Sequence, residues 1–401
     1  MIEPRAWARG ATPNPFFPQI PSGRVVECDI FMNRRRLLLG ATASVLALKS
    51  RLASSVSKPI HVAFINPGES VERATGQHWQ LVVRFMAAAA RALGMQLEVL
   101  YAERDHILML RQAEALANRR TTPDYVVLVN EKQMASRMLA VLGQMPSKVM
   151  LIHNDLTDAQ RKEVGNERER IANWIGTVTA DAKRGGYRLM EYLHQRQANA
   201  TVPHVIGITG DPVTPVSLER AEGVHEWLVD TPGARLNQLA YGNWSRVDSY
   251  EKTSVLLRRY PNTNLIWAAN DSMAIGAQRA CEACGVRPIV GGMGALPEAL
   301  TSVMQGGLTA MMAGDYFIGA FAMILLYDYH EGLDFAEHGG ARRKLDYLTL
   351  VHRGNARAYL ERLFSGASDP DFSVLSRVRH RTSSVYDFNI DRLLGNVKNF
   401  S

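Results

Sequence analysis

The sequence predicts an α/β protein built as two doubly wound parallel-sheet lobes. Three observations carry this expectation. From Ile60 onward, apolar runs of strand length alternate with helical stretches; the alternation is played through twice; and 401 residues are too many for one core.

In the first series, HVAFIN (His61 to Asn66) reads as a strand closed by Pro67-Gly68, and WQLVVRFMAAAARALG (Trp79 to Gly94) as a helix stopped by Gly94. MQLEVLYA alternates as a second strand and HILMLRQAEALANRR follows as a helix. DYVVLVN (Asp124 to Asn130), the helix MASRMLAVLGQ and the strand KVMLIHND continue the pattern. Short connections of this kind imply parallel strands with helices on both faces. After NWIGTVTADAKRGGYRLMEYL a second series runs through HVIGITG, SLERAEGVHEWLVD, RLNQLAYGNW, SYEKTSVLLRRY, LIWAAN and MAIGAQRACEA. PIVGGMG, ALPEALTSVMQGG and LTAMMAG extend it. The helix YFIGAFAMILLYDYHEG (Tyr316 to Gly332) is apolar for only about four turns, so it is expected as buried core and not as a membrane span. The tail from Asn355 to Ser401, with the helical AYLERLF, is expected to pack along the outside of the lobes.

The net charge of +7 is unevenly placed. Residues 1 to 57 hold eight Lys/Arg and three Asp/Glu, which leaves 38 basic against 36 acidic residues beyond them. No basic run recurs with interleaved aromatics, so nucleic-acid binding has weak support. The Pro-rich first 31 residues read as disordered. MNRRRLLLGATASVLALKS then places Arg34 to Arg36 before the apolar Leu37 to Leu48, the layout of an export signal with a start at Met32. A twin-arginine and a general secretory route both fit, and a short basic amphipathic helix or a retained anchor are the alternatives. Export implies a periplasmic location. Cys28 lies upstream of that start, and Cys281 and Cys284 form one CxxC without a second pair or a nearby His, which is poor support for zinc.

The most informative segment is LIWAANDSMAIGA, Leu265 to Ala277. An apolar strand stops at Asn270-Asp271 and a small-residue helix begins, capped by Asp271 or Ser272. Strand-to-helix corners of this kind lie at the carboxyl edge of a doubly wound sheet, where ligand crevices open. Asn270 and Asp271 could also be only a turn and a cap.

With these pieces in place, the chain resembles the type I periplasmic substrate-binding proteins, the ribose- and galactose-binding class also related to the effector domains of LacI-type repressors. The resemblance covers roughly Lys58 to Arg353 and rests on NDSMAIGA, on SLERAEG with Arg220, and on GGMGALPEALTSVMQGGLTA. FINPG, LYAERDH, LVNEK, NDLT, NWIG and LLYDYHEG further resemble a subgroup of ABC-type sugar-binding proteins similar to the autoinducer-2 receptor of vibrios. The resemblance implies two lobes joined by three crossovers, near Thr177 to Asp181, Ala313 to Asp315 and Asp346 to Leu350. The organisation implied is a leader over 1–57, lobe one over 58–178, lobe two over 179–313, a return to lobe one over 314–347, and a lobe-two segment with C-terminal extension over 348–401.

A sugar offers apolar ring faces and a rim of hydroxyls, so its site needs aromatic platforms and bidentate polar groups. By resemblance, Asn66, Ser70, His78, Trp79, Asn130, Asn154 and Asp155 would face the cleft from lobe one, and Arg220, Trp244, Asn270 and Asp271 from lobe two. Arg220 would grip two ligand oxygens, Trp244 stack on the ring, Asn270 bond hydroxyls and Asp155 supply an acceptor. Each has a plainer alternative: core aromatics for Trp79 and Trp244, a solvent-facing loop position for His78, pairing with Glu222 for Arg220, a turn for Asp155. Gly294 stands where ribose-like members carry an Asp, which implies a neutral gap in the lobe-two wall; Asp315 could compensate.

The function implied is an exported, monomeric solute-binding protein that delivers a small polar ligand, a sugar or sugar-like molecule, to an ABC permease. A periplasmic receptor that docks on a membrane sensor kinase or cyclase is the alternative. A repressor would need a helix-turn-helix where residues 1 to 57 offer an export signal. With no GxSxG, HExxH, P-loop or plausible metal cluster, no enzyme is expected, and neither cofactor nor metal.

Overall fold

The computed structural model describes residues 58–71, 77–197, 202–366, 368–380, 385–390 and 393; the expected export signal lies outside these. The first lobe contains β1 (His61–Asn66), α1 (His78–Leu93), β2 (Gln96–Tyr101), α2 (His106–Ala117), β3 (Tyr125–Val129), α3 (Ala135–Leu142), β4 (Lys148–Ile152), α4 (Asp158–Val164) and β5 (Trp174–Ala180). The second contains α5 (Ala182–Gln195), β6 (His204–Thr209), α6 (Pro215–Asp230), β7 (Arg235–Tyr241), α7 (Arg246–Arg259), β8 (Leu265–Ala268), α8 (Asp271–Cys284), β9 (Ile289–Gly294), α9 (Pro297–Gln305) and β10 (Ala310–Ala313). The chain then adds α10 (Ile318–His330) and β11 (Arg342–Leu345) to lobe one, and β12 (Thr349–His352) and α11 (Ala356–Leu360) to lobe two.

Each lobe holds one six-stranded sheet. The orders are β2-β1-β3-β4-β5-β11 and β7-β6-β8-β9-β10-β12. In each sheet the order reverses beside its first strand, which leaves a crevice at the carboxyl ends of the strands. The central strands are apolar and buried, β3 at every residue, as a parallel strand covered on both faces requires, whereas the edge strands β7 and β11 are polar and partly exposed. Caps punctuate the helices, with the Asp105 carboxylate accepting from Ile107 N and Leu108 N ahead of α2, and Gly94 ending α1 at φ 71°.

One strand departs from the parallel expectation. β12 pairs antiparallel with β10. The reason is topological: β11 runs toward the junction between the lobes, only three residues separate it from β12, and a strand entering lobe two from that side must run against β10, which ends there.

α10 is buried along its apolar length and packs on α1, β4 and β5, so it is core, as its short apolar stretch implies. Among the described residues, no helix is long and apolar enough to cross a membrane.

The tail does more than lie along the outside. α11 packs on α9 and β12 of lobe two, and the chain then passes back to lobe one through a wide helical turn, Glu361–Ser365. Arg84 of α1 donates to Leu363 O at 3.0 Å and to Asp369 at 2.7 Å. Phe372 is fully buried between Phe85 and Phe317, and Phe388 stacks on Phe321 at 4.6 Å between centroids. Asp328 of α10, without solvent exposure, accepts from Ser376 Oγ at 2.5 Å, Arg377 N at 2.8 Å and the Tyr386 hydroxyl at 3.0 Å. A buried carboxylate is tolerated because the tail satisfies it. The tail is therefore part of lobe one's core. Phe372→Ala should lower the unfolding free energy by about 3–5 kcal/mol, whereas Val229→Ala at an exposed site should change it by less than about 0.5 kcal/mol. Urea denaturation measures both, and equal stability of the two variants would show that the tail merely lies on the surface.

Candidate functional site

The carboxyl ends of the strands in both lobes converge on one cleft. From lobe one, α1 opens with His78 and Trp79 in its first turn, and Arg104, Glu131, His153 and Asn154 follow β2, β3 and β4. From lobe two come Thr214 and Arg220, Trp244 after β7, Asn270 and Asp271 at the β8–α8 corner, and Gly294 at the end of β9. Asp315 stands where the chain leaves β10 for lobe one. These residues border about 640 Å³ of space, part of it open to solvent at the cleft mouth. Arg104, His153 and Trp244 have φ of 64°, 68° and 61°. Left-handed backbone is uncommon outside glycine, and such conformations cluster where a side chain must be aimed at a ligand.

Charge is concentrated at Asp315. Its Oδ2 accepts from Arg220 Nη2 and lies 3.1 Å from His153 Nε2 and 3.9 Å from His78 Nε2. Burial opposes ionisation of Asp315, but His153 and Arg220 outweigh it and hold the carboxyl well below the usual carboxylate range. Arg220 Nη1 donates to Ala269 O, so the guanidinium is braced between the β8 end and the carboxylate. Burial pushes the pKa of His78 down from 6.5 to about 3, against the pull of Asp315, so its imidazole is neutral. The aromatic rings interlock: His78 contacts Trp79 at 5.0 Å and His153 at 5.2 Å, and Trp79 contacts His153 at 4.9 Å.

The lobes also touch across the cleft. Asn154 Oδ1 accepts from Val216 N at 3.2 Å, Gln133 donates to Val213 O at 3.3 Å, and Lys344 pairs with Glu219 at 3.4 Å.

Of the expected site residues, Trp79, Asn154, Arg220, Trp244, Asn270, Asp271 and Asp315 border the cleft. Arg220 is buried and does not pair with Glu222, which Lys183 takes at 2.9 Å. Asn270, not Asp271 or Ser272, caps α8: its Oδ1 accepts from Met273 N at 2.8 Å while its Nδ2 donates to Trp244 O at 3.3 Å. Both the capping role and the cleft position hold for this residue. Asp155 belongs elsewhere. Its Oδ1 accepts from Leu156 N at 2.6 Å and Arg161 at 2.5 Å, and its Oδ2 from Arg342 at 2.6 Å, so it ties α4 and β11 to the end of β4 and has no oxygen facing the cleft. Asn66 lies beneath the cleft wall, its Oδ1 accepting from Gly68 N at 2.8 Å. Asn130 is consumed by the α3 start and Gln160, and Ser70 is exposed beside Glu103.

Three further points settle an alternative or depart from expectation. His78 borders the cleft, as the resemblance implies, and its solvent-facing alternative does not hold. The position at Gly294, whose φ is 122°, is not an empty gap: a Cβ placed there would fall 1.8 Å from Asp271 Oδ2. The Asp271 carboxyl fills the space that a side chain at 294 would need, with Oδ1 accepting from Leu296 N at 2.7 Å. Third, ligand atoms of His78, His153 and Asp315 lie within 4.8 Å of one another, a set with metal-binding potential drawn from three distant places in the sequence. Arg220 occupies the same carboxylate oxygen, and its charge disfavours a cation there. Arg104, Glu131 and His153 were not expected; Arg104 Nη2 donates to Glu131 at 2.7 Å at the rim. The only signal for them is position, directly after β2, β3 and β4.

Two lobes wound in this way around a polar and aromatic cleft define a binding protein. The chain belongs to the periplasmic binding protein family, whose domain model matches residues 68–334, and this is a family of binding proteins and not of enzymes. It is similar to a periplasmic sugar-binding protein from Pseudomonas fluorescens, with 33% identity and a TM-score of 0.74 over 84% of this chain and 99% of that one. It is also similar to a galactofuranose-binding protein of Escherichia coli (25% identical over 157 residues, 36% of this chain and 49% of the relative). A ribose import binding protein of Haemophilus influenzae is 25% identical over 193 residues, 46% of this chain and 64% of the relative. The chain thus spans about half to just under two thirds of the length of these two relatives.

Burial also raises the pKa of Asp271 from 3.8 to about 7, against hydrogen bonds from Leu296, Asp271 and Ala295 amides and the charge of Arg220. The folded chain keeps this proton between those values and the unfolded chain does not, so its contribution to stability is full below pH 3.8 and is lost as pH rises through about 7. His78 acts in the opposite sense, its contribution falling away as pH drops from 6.5 toward about 3. The two slopes mask one another in the parent protein. In Asp271→Asn the acidic slope disappears, so stability relative to the parent should rise with pH by up to about 1.4 kcal/mol per unit between pH 4.5 and 6.5. Urea denaturation across that range measures it; parallel curves for variant and parent would refute the neutral Asp271.

Proposed function

We propose that the protein is an exported, monomeric solute-binding protein that captures a monosaccharide or close analogue between its lobes and presents it to an ABC-type permease in the periplasm. The observation that carries this reading is the pair of indoles, Trp79 and Trp244, bordering the cleft from opposite lobes with the braced guanidinium of Arg220 between β8 and Asp315. Indoles suit the C–H face of a sugar ring, and a buried, preorganised polar set suits its hydroxyl rim. Asn154 Nδ2 and Arg220 Nε are buried donors with no hydrogen-bond partner among the described residues. The relatives are named for galactofuranose and ribose, which supports a small cyclic sugar as the ligand class.

Capture follows from geometry. Because Arg220 and Trp244 stand in lobe two while Trp79 and Asn154 stand in lobe one, only the closed arrangement lets a ligand touch all four, and binding energy shifts the population toward it. Asp271, with its proton held up to pH about 7, can donate to a ligand oxygen as well as accept.

Thermal unfolding in the presence of pentoses, hexoses, polyols and furanosides tests the reading. A sugar at 100 times its dissociation constant should add about 2.7 kcal/mol, and Trp244→Ala should remove most of that shift. Arg220→Ala is a poorer test because it strands Asp315, at a cost of about 3–5 kcal/mol. Stabilisation by an amino acid or peptide and by no sugar would refute the assignment.

A further inference from the structure

Trp244 is not aimed by the secondary structure around it. Asn243 and Trp244 both have left-handed backbones, φ 51° and 61°, in the short turn between β7 and α7. The direction of the indole is set by its contacts. Its Nε1 donates to Asp211 Oδ2 at 2.8 Å, and its ring lies on Gly210, where a Cβ would fall 2.1 Å from the ring. The Trp244 carbonyl is held by Asn270, and the Arg220 guanidinium lies 5.8 Å from the ring centroid.

Asp211 is buried and does not border the cleft. Its remaining bonds go to the turn ahead of α6: Oδ1 accepts from Val213 N at 3.0 Å and Thr214 N at 2.9 Å, and Oδ2 from Thr214 Oγ1 at 2.7 Å. That turn and the α6 start that follows it are what lobe one grips, through Gln133 on Val213 O and Asn154 on Val216 N. One carboxylate therefore sets both the indole and the surface on which the lobes meet.

We propose that Asp211 is a positioning residue for ligand recognition: it fixes Trp244 as a platform for a cyclic sugar and ties that platform to the turn that closes against lobe one. The proposal rests on the sugar reading of the cleft. Ring stacking and lobe contact then favour one another, because a ligand that steadies the indole steadies the Asp211 turn as well. A cyclic ligand with an apolar face gains from the arrangement, whereas an open-chain polyol of the same hydroxyl count gains less.

In Asp211→Asn the amide cannot accept from both the turn and the indole, since its nitrogen presents hydrogens to one of them. The test uses the full chain with ¹⁵N-labelled tryptophan and the monosaccharide that gives the largest thermal shift with the parent. The Trp244 indole N–H should be protected from solvent exchange in the parent and lose that protection in Asp211→Asn. Affinity should fall about tenfold or more, the equivalent of about 1.4 kcal/mol, with cyclic sugars losing more than open-chain polyols. Trp244→Phe removes the donor but leaves a ring, and the double variant should be no weaker than the weaker single one. Gly210→Ala, which pushes the ring off its seat beside Asp211, should reproduce the loss, and unchanged affinity in this variant would overturn the proposal should Asp211→Asn fail to fold. Additive losses, equal losses for cyclic and open-chain ligands, or unchanged indole protection in Asp211→Asn would overturn the proposal. Failure of every sugar to bind the parent, with indole protection lost in the variant, would overturn the sugar reading and leave the seating of Trp244 by Asp211 standing.

Discussion

The two lobes share one buried carboxylate. Asp315 stands where the chain crosses from the second sheet to the first, takes Arg220 from lobe two and faces His153 from lobe one. A lone charge at that depth would be untenable, and a guanidinium there would be equally so without its partner. The pairing makes each lobe's charge depend on the other lobe's position. Much of the cleft follows: Arg220 is held rigid for a ligand, and a metal ion is disfavoured at a set of ligands that would otherwise suit one.

Around this centre the protein uses the same device repeatedly, a side chain released from regular structure by a left-handed residue and then fixed by a specific bond. Trp244 with Asp211 and His153 with Asp315 are the clearest cases. Asp271 applies a related economy. Its carboxyl takes the space denied to residue 294 by glycine, so the lobe-two wall keeps an ionisable group although the position where ribose-like proteins carry one is empty of side chain. The polar character of the wall is preserved while the group supplying it reaches in from a different strand end.

Strand ends were legible in the sequence because apolar runs stop abruptly at polar residues. His61–Asn66 and the corner at Asn270-Asp271 stand as read, and Trp79, Arg220 and Trp244 reach the cleft. Which polar residue at a strand end faces the ligand was not legible. Asp155 is claimed by Arg161, carried on the short and polar α4 that shows no apolar period, and by Arg342, which lies 187 residues away in the chain. Asn130 is claimed by Gln160 of the same helix. Local pattern reports that a polar side chain sits at the carboxyl edge; it carries no record of a distant arginine that has already used its oxygens. The antiparallel β12 escaped for a similar reason, since strand direction there is decided by the side from which the chain enters the sheet.

The return of the tail to lobe one has a bearing on how the protein acquires its structure. Arg84 and Asp369, which bond in the finished lobe, are separated by 285 residues, and Phe372 completes a cluster begun by Phe85. Contacts of such long sequence separation form late, because the intervening chain must first be ordered or its closure entropy overcome. A ribosome that still holds the last segment therefore withholds part of lobe one's interior, however early its first strands were made. Lobe two, contiguous from α5 to β10, can assemble most of its sheet beforehand. The half of the molecule that is made first is the half that is finished last.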